Sequence, residues 1–293
     1  MNTADQQRTE FLYQQHLTAL SLQGKRPATI DGYSRALRRI IHYFDRCPDT
    51  LELQDLQTYF AALILSHSWS TVKIDRNALQ FFYKHVLKRH WQWLNIVKPP
   101  LVKTLPDILT QDEVARLIST TRQLRYQVCF LTLYTLGLRL GEGLALTIHD
   151  IDAPLSRVHI RLAKGGKDRY VPLPARTLKV LRHYWQSHRH PLYLFPGKPD
   201  STMDRGGVQK ALKKTVSDCR ISKKISPHNL RHSYATHLLE MGVDLLSIQQ
   251  LLGHQSPTTT ARYARLTQQR ATNTQGVINQ LADWLELDWE SHL

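Results

Sequence analysis

Six polar side chains are of types that handle anions and protons: Arg139, Lys164, His228, Arg231, His254 and Tyr263. A guanidinium forks onto phosphate or carboxylate, imidazole and ammonium groups move protons, and a tyrosine hydroxyl can become a nucleophile. Taken singly, each has a plainer explanation. Arg139 lies in the mostly apolar LYTLGLRLGEGLAL. Burying its charge alone is expensive, and Glu142, three residues on, can supply a partner. Lys164 falls near a Gly-Gly turn, a common place for an exposed lysine. His228 and Arg231 form H-x-x-R at a helix start, and spacing i, i+3 puts them on one face. Side chains in such a first turn are often merely solvated. His254 follows Gly253, where a helix would end. Tyr263, in TTTARYARL, is by residue type alone a packing residue with a wet hydroxyl. Histidines can also hold a metal. His228 and His232 are i, i+4, but Asn229 stands where the glutamate of H-E-x-x-H would be, and no third ligand has fitting spacing. His188 and His190, in QSHRHPL, are expected at the surface.

The elements that must carry these residues follow from periodicity. Residues 7–96 read as mostly helical. In Thr29–Phe44, Tyr33, Leu37, Ile40, Ile41 and Phe44 share one face, Arg35, Arg38, Arg39 and His42 lie mostly elsewhere on the surface, and Thr29 can cap the helix. A second helix is expected over Ser70–Trp91, with Val72, Leu79, Phe82, Tyr83 and Val86 in the core and Lys73, Arg76, Lys84, Lys88 and Arg89 on a basic side. Pro99, Pro100 and Pro106 break any continuous helix, so a linker is placed at about 97–106. Thr110 and Glu113 fit a capping box that opens the next helix. RYQVCFLTLYTLGLRLGEGLALT predicts a buried helix, a turn at Gly137 and a second helix start. VHIRL and RYVPL, joined by AKGGKD, predict a β-hairpin. Helices are expected at 174–188, 205–219, 228–241 and 244–252. The fold class is therefore mainly α with a small β-sheet, in two domains, 1–98 and 107–293.

A chain of 293 residues can bury two cores. It has no apolar run of about 18 or more, so no membrane span is expected, and its polar N-terminus does not have the order of a signal peptide. Cys47, Cys129 and Cys219 are widely spaced, which fits a reducing cytosol rather than a disulfide framework. The formal net charge is +15. Residues 101–270 carry 26 basic and 12 acidic side chains, whereas residues 271–293 carry none and 4. A basic body with an acidic tail points to a polyanionic partner, most often nucleic acid.

The order Arg, Lys, His-x-x-Arg, Gly-His, Tyr resembles the tyrosine recombinases, or phage-type integrases. GLRLGE is similar to the family's first arginine box, and AKGGKDRYVPL to its lysine hairpin. HNLRHSYATHLLEMGVDLLSIQQLLGHQSPTTTARY resembles its second box nearly throughout, including the nine positions from His254 to Tyr263. LPDILTQDEV looks like the usual start of the catalytic domain, and TIDGYSRALRRI and WSTVKIDRNALQFFYKHV resemble the helical core-binding domain. The resemblance covers roughly residues 7–266. It implies a helical core DNA-binding domain followed by a mixed α/β catalytic domain, acting on double-stranded DNA without metal, cofactor or ATP. It also implies roles. Arg139 and Arg231 would offset charge on a pentacoordinate phosphorus, and Tyr263 would form a 3′-phosphotyrosine. His228 would accept the tyrosine proton, His254 would hydrogen-bond the phosphate or place the nucleophile, and Lys164 would protonate the leaving 5′ oxygen. Where the family often has a histidine two residues after the tyrosine, this chain has Arg265, so whatever that histidine does in relatives is in doubt here.

In GVINQLADWLELDWESHL, Val277, Leu281, Trp284 and Leu285 recur at helical spacing among acidic positions. Such a helix can pack on its own domain. In similar family members it docks on a neighbouring protomer, which implies a homo-tetramer on two DNA sites with residues 275–289 exchanged. The sequence leaves open the DNA target, a related recombinase or accessory protein as further partner, and the choice between dimer resolution and mobile-element recombination. A binding-only regulator and a type IB topoisomerase-like relaxing enzyme are the rival readings. All expected site residues are present, against the first, and the small two-domain plan favours recombination over the second. The expected compartment is the bacterial cytoplasm, at the nucleoid.

Overall fold

The computed structural model describes residues 1–89, 106–161, 168–198, 201–254 and 260–261. The chain divides into two compact units, Met1–Lys103 and Thr104–Leu293. Most of the expected linker, Lys164, Tyr263, Arg265 and the tail helix lie outside the described residues.

The first unit is helical: α1 (Thr3–Leu22), α2 (Pro27–Phe44), α3 (Leu53–Ser66) and α4 (Trp69–His85). Leu37 and Ile40 of α2 meet Leu56, Phe60 and Leu63 of α3 and Val72, Leu79 and Phe82 of α4 in one apolar cluster. Asp75 is fully buried within it. Arg39 Nη1 donates to both of its carboxylate oxygens, at 2.8 and 2.9 Å, and the Tyr59 hydroxyl donates to it at 2.6 Å, so one carboxylate pins three helices together. Arg39 is thus drawn inward, not left on the surface with Arg35, Arg38 and His42. Two boundaries also differ from expectation. Pro27, whose fixed φ suits the first helical position, starts α2 after Arg26, so Thr29 lies inside the helix and does not cap it. Ser68, not Ser70, opens α4, its hydroxyl accepting from the Thr71 amide. The helix stops at His85 rather than Trp91: the Leu87 and Arg89 amides fold back onto the Phe82 and Tyr83 carbonyls, and Lys88 takes a positive φ.

The second unit is built around two buried helices. The expected capping box opens α5 (Gln111–Thr120), with Thr110 and Glu113 exchanging hydrogen bonds at 3.1 and 2.8 Å. Buried Val128, Cys129, Phe130 and Leu133 make α6 (Leu124–Thr135) a core helix. Gly137 ends that segment at φ +59°, and a Cβ there would stand 2.5 Å from the Tyr234 ring. This glycine is therefore required twice, by its backbone and by its neighbour. The short α7 (Leu140–Leu144) follows.

A three-stranded antiparallel sheet comes next, in the order β1 (Ile151–Asp152), β2 (Arg157–Ile160), β3 (Arg169–Pro172). The expected hairpin is β2–β3, with Val158 opposite Val171 and Ile160 opposite Arg169. The sequence reading missed β1, because two residues carry no measurable alternation. The sheet is followed by α8 (Ala175–His188), α9 (Arg205–Asp218), α10 (Pro227–Glu240) and α11 (Leu245–Leu252). Ten of the 14 residues of α10 are buried, which makes it the second central helix. His188 and His190 are half-buried rather than on the surface. Their Nδ1 atoms accept backbone amides of His190, Leu192 and Tyr193, and so shape the turn after α8. The described residues are mainly α-helical with one small sheet.

Candidate active site

The site is assembled where three chain segments meet. The first is the turn from α6 into α7. The Glu142 carboxylate accepts the Arg139 backbone N–H at 2.9 Å and the Arg139 guanidinium at 2.6 Å. The expected i, i+3 partner of Arg139 is thus real. It does not exhaust the guanidinium, whose side chain stays 24% exposed while that of Glu142 is 8% exposed.

The second segment is the start of α10. Ser226 and Pro227 open this helix, as expected, and Asn229 closes a capping box back onto Ser226. His228 is exposed, while Arg231, one turn on, is completely buried. So H-x-x-R is not a merely solvated turn. Arg231 donates to the Gly137 carbonyl at 2.7 Å and to the Leu252 carbonyl at 2.5 Å, and its Nη1 lies 3.6 Å from Glu142 Oε2. Both carbonyls stand at helix C-terminal ends, where the backbone dipole favours a cation. One guanidinium therefore ties the ends of α6 and α11 together.

The third segment is the end of α11. Gly253 caps it at φ +61°, and His254 follows. Its Nδ1 lies 2.9 Å from the hydroxyl of buried Thr260, three residues before Tyr263. Burial, then the charges of Arg231 and Arg139 and the nearby His228 and His232, push the His254 imidazole down to about 3. It is neutral near pH 7 and can donate from one nitrogen while accepting at the other.

The structure thus brings Arg139, His228, Arg231 and His254 into one electrostatic neighbourhood, and Lys164 and Tyr263 fall outside the described residues. The His228 and His232 rings are 4.4 Å apart, centre to centre. Among the described residues, no group of three His, Cys, Asp or Glu side chains gathers as metal ligands. Two participants are not legible in the sequence. Glu142 is readable there only as a partner for Arg139, yet three arginines converge on it. Arg169 looked like the first residue of a strand, yet it forks onto Glu142 at 2.8 and 3.2 Å. Nothing in strand alternation points to that contact.

Glu142 also sets an acid limit. Burial alone would raise its pKa, but the hydrogen bonds and charges of Arg169 and Arg139 outweigh this and hold it at about 2. Because the folded value lies below the unfolded one, the stabilisation is complete above about pH 4.5 and is lost as pH falls towards 2, a change of about 3 kcal/mol. His254, neutral when folded, adds a loss in the same direction that starts below about pH 6.5. Thermal unfolding followed from pH 7 to 3 should show a falling midpoint. Glu142→Gln should flatten the lower part of the curve, and a curve unchanged by that substitution would refute the assignment.

The family model described as "Phage integrase family" matches residues 107–270, more than half of the chain. The chain belongs to the phage integrase family. A second model, "Phage integrase, N-terminal SAM-like domain", matches residues 12–93. The putative integrase/recombinase y4qK of Sinorhizobium fredii is 36% identical over 247 residues, covering 83% of this chain and 80% of the relative. Tyrosine recombinase XerD of Listeria innocua is 33% identical over 266 residues, covering 83% and 89%. The crystal structure of XerA recombinase superposes with a TM-score of 0.53 at 28% identity, covering 92% of this chain and 98% of that one. XerH bound to its palindromic difH substrate gives a TM-score of 0.70 at 22% identity, covering 85% and 80%, a likeness of fold. This integrase-family protein is a DNA-binding enzyme of the tyrosine-recombinase type, whose class activity is site-specific strand breakage and rejoining through a phosphotyrosine. Among the described residues, no helix is long and apolar enough to cross a membrane.

Proposed function

We propose that Tyr263 is the nucleophile of this recombinase and that Arg139, Lys164, His228, Arg231 and His254 serve it. The observation that carries the reading is the convergence of Arg139, Arg231 and a neutral His254 at the end of α11, in the segment leading to Tyr263. The Tyr263 oxygen bonds to phosphorus as the bond from phosphorus to the 5′ oxygen breaks. His228 takes the tyrosine proton, and Lys164 gives one to the 5′ oxygen. Arg139 and Arg231 offset charge on the non-bridging oxygens, and His254 hydrogen-bonds the phosphate. The phosphotyrosine conserves the energy of the broken bond, so a 5′-hydroxyl from another strand can attack and rejoin without ATP.

Residues 1–98 and 107–293 act as core-binding and catalytic domains on double-stranded DNA, held mainly through phosphates. The assembly is a homo-tetramer on two sites, with the amphipathic segment 275–289 passed between protomers. Its acidic residues complement the basic body. The protein works in the cytoplasm at the nucleoid, in keeping with three buried free cysteines.

The test uses nicked suicide duplexes made from sequence flanking the gene, with EDTA and no ATP. An SDS-resistant protein–DNA adduct is expected. Specific binding without any adduct would count against the nucleophile assignment. Relaxation of plasmids lacking a specific site would favour a topoisomerase. Deleting residues 275–293 should leave DNA affinity within about threefold yet reduce the four-subunit complex at least about tenfold, as read by gel mobility. A truncated protein that still assembles fully would refute the exchange.

A further inference from the structure

A carboxylate is a liability in a site that must bind an anion, because it competes with the phosphate for the same guanidiniums. Glu142 stands in that position. Its Oε1 accepts Arg139 Nη1 at 2.6 Å and Arg169 Nη1 at 3.2 Å. Its Oε2 accepts Arg169 Nη2 at 2.8 Å and the Arg139 amide at 2.9 Å, with Arg231 Nη1 3.6 Å away. Arg169 alone among the three guanidiniums holds both oxygens within hydrogen-bond distance. Its Nε is also committed, donating to the Leu251 carbonyl at 3.0 Å in the last turn of α11. Its side chain is only 9% exposed, against 24% for Arg139. The stem passes over Gly253, where a Cβ would stand 3.0 Å from Arg169 Cδ, so the glycine before His254 leaves room for it.

Each of the three guanidinium nitrogens of Arg169 thus donates to the protein itself, two to Glu142 and one to the Leu251 carbonyl. We propose that Arg169 is a positioning residue for strand cleavage. It offsets the charge of Glu142, so that the field of Arg139 and Arg231 is left for the scissile phosphate, and it fixes the end of α11 from which His254 follows. Without it, three cations facing one carboxylate become two. The charge of Glu142 would then be offset by Arg139 and Arg231 alone, and the incoming phosphodiester would meet a weaker field. The inference rests on the reading of Arg139 and Arg231 as phosphate-binding groups.

The experiment compares single-turnover cleavage of two suicide duplexes by the full chain. One carries an ordinary phosphodiester at the scissile position, and the other an uncharged methylphosphonate, which demands less cationic stabilisation. Arg169→Met should be about 100-fold slower than wild type on the phosphodiester but within about tenfold of it on the methylphosphonate. A partly unfolded variant loses both rates equally, so the ratio between substrates separates positioning from folding. Adding Glu142→Gln to Arg169→Met should recover at least about tenfold of the lost rate, since an amide does not compete for the remaining guanidiniums. Equal losses on both substrates, or a double variant slower than Arg169→Met, would overturn the proposal. Arg139→Ala is the control. If it shows the methylphosphonate advantage and Arg169→Met does not, only the role of Arg169 fails. If neither shows it, the phosphate-binding reading of the arginines fails as well.

Discussion

Tyr263→Phe is expected to abolish covalent capture of DNA while leaving DNA binding within about twofold of wild type. The substitution removes one oxygen, the atom that would bond to phosphorus, and a phenyl ring offers no replacement. The cationic groups that would hold the phosphate are contributed by other segments: Arg139 before α7 and Arg231 in the first turns of α10, both tied to Glu142. Losing a nucleophile in a covalent mechanism costs on the order of 10⁴-fold or more in rate. On nicked suicide duplexes, with EDTA and no ATP, wild type should give an SDS-resistant adduct and the variant none. Tyr234 should not substitute, because it packs against Tyr134 and burial raises its pKa. An adduct formed by the phenylalanine protein would show that another residue attacks.

Arg231 carries the second large effect, and it should appear in two readouts. Arg231→Ala leaves the Gly137 and Leu252 carbonyls without their shared donor and removes a cation from beside Glu142. Breaking a buried charge network of this kind costs about 3 kcal/mol or more, which for a unit of this size lowers the unfolding midpoint by roughly 6–12 °C. If Arg231 serves the phosphate as proposed, cleavage should fall on the order of 10³-fold or more even with saturating DNA, because Arg139 alone would then offset charge on the non-bridging oxygens. Arg231→Lys separates the two effects. It keeps the charge and some of the stability, but an ammonium cannot fork onto two helix-end carbonyls and a phosphate oxygen with the same geometry. It should therefore recover part of the midpoint while still cleaving on the order of 100-fold slower than wild type. A lysine variant that cleaves at the wild-type rate would reduce Arg231 to a source of charge.

The helices and the hairpin were legible because their signals are local. Thr110 and Glu113 announce a helix start three residues apart, and the apolar face of Thr29–Phe44 repeats at a helical period. The misplaced boundaries were local competitions. Pro27 took the first helical position from which Thr29 had been expected to be a cap, and the fold-back at Leu87 and Arg89 ended α4 early. β1 escaped notice because two residues are too short to show a period. Arg39 looked solvated from its helix face, but Asp75 lies 36 positions away and no pattern within α2 reveals it.

The sequence by itself determined which residues to expect at the site and the order in which the chain delivers them. Residue types and spacings within single segments carry that information, and a one-dimensional pattern preserves it. It also determined that Arg139 has a carboxylate within reach at Glu142. Only the tertiary structure decided that the same carboxylate is shared with Arg169 and Arg231, 27 and 89 residues further on. The tertiary structure likewise buried Arg231 between two helix ends and held His254 neutral. These are properties of charge and burial, and they come into being when α7, β3, α10 and α11 meet. Desolvation and Coulomb energy depend on distance in space, which separation along the chain does not encode.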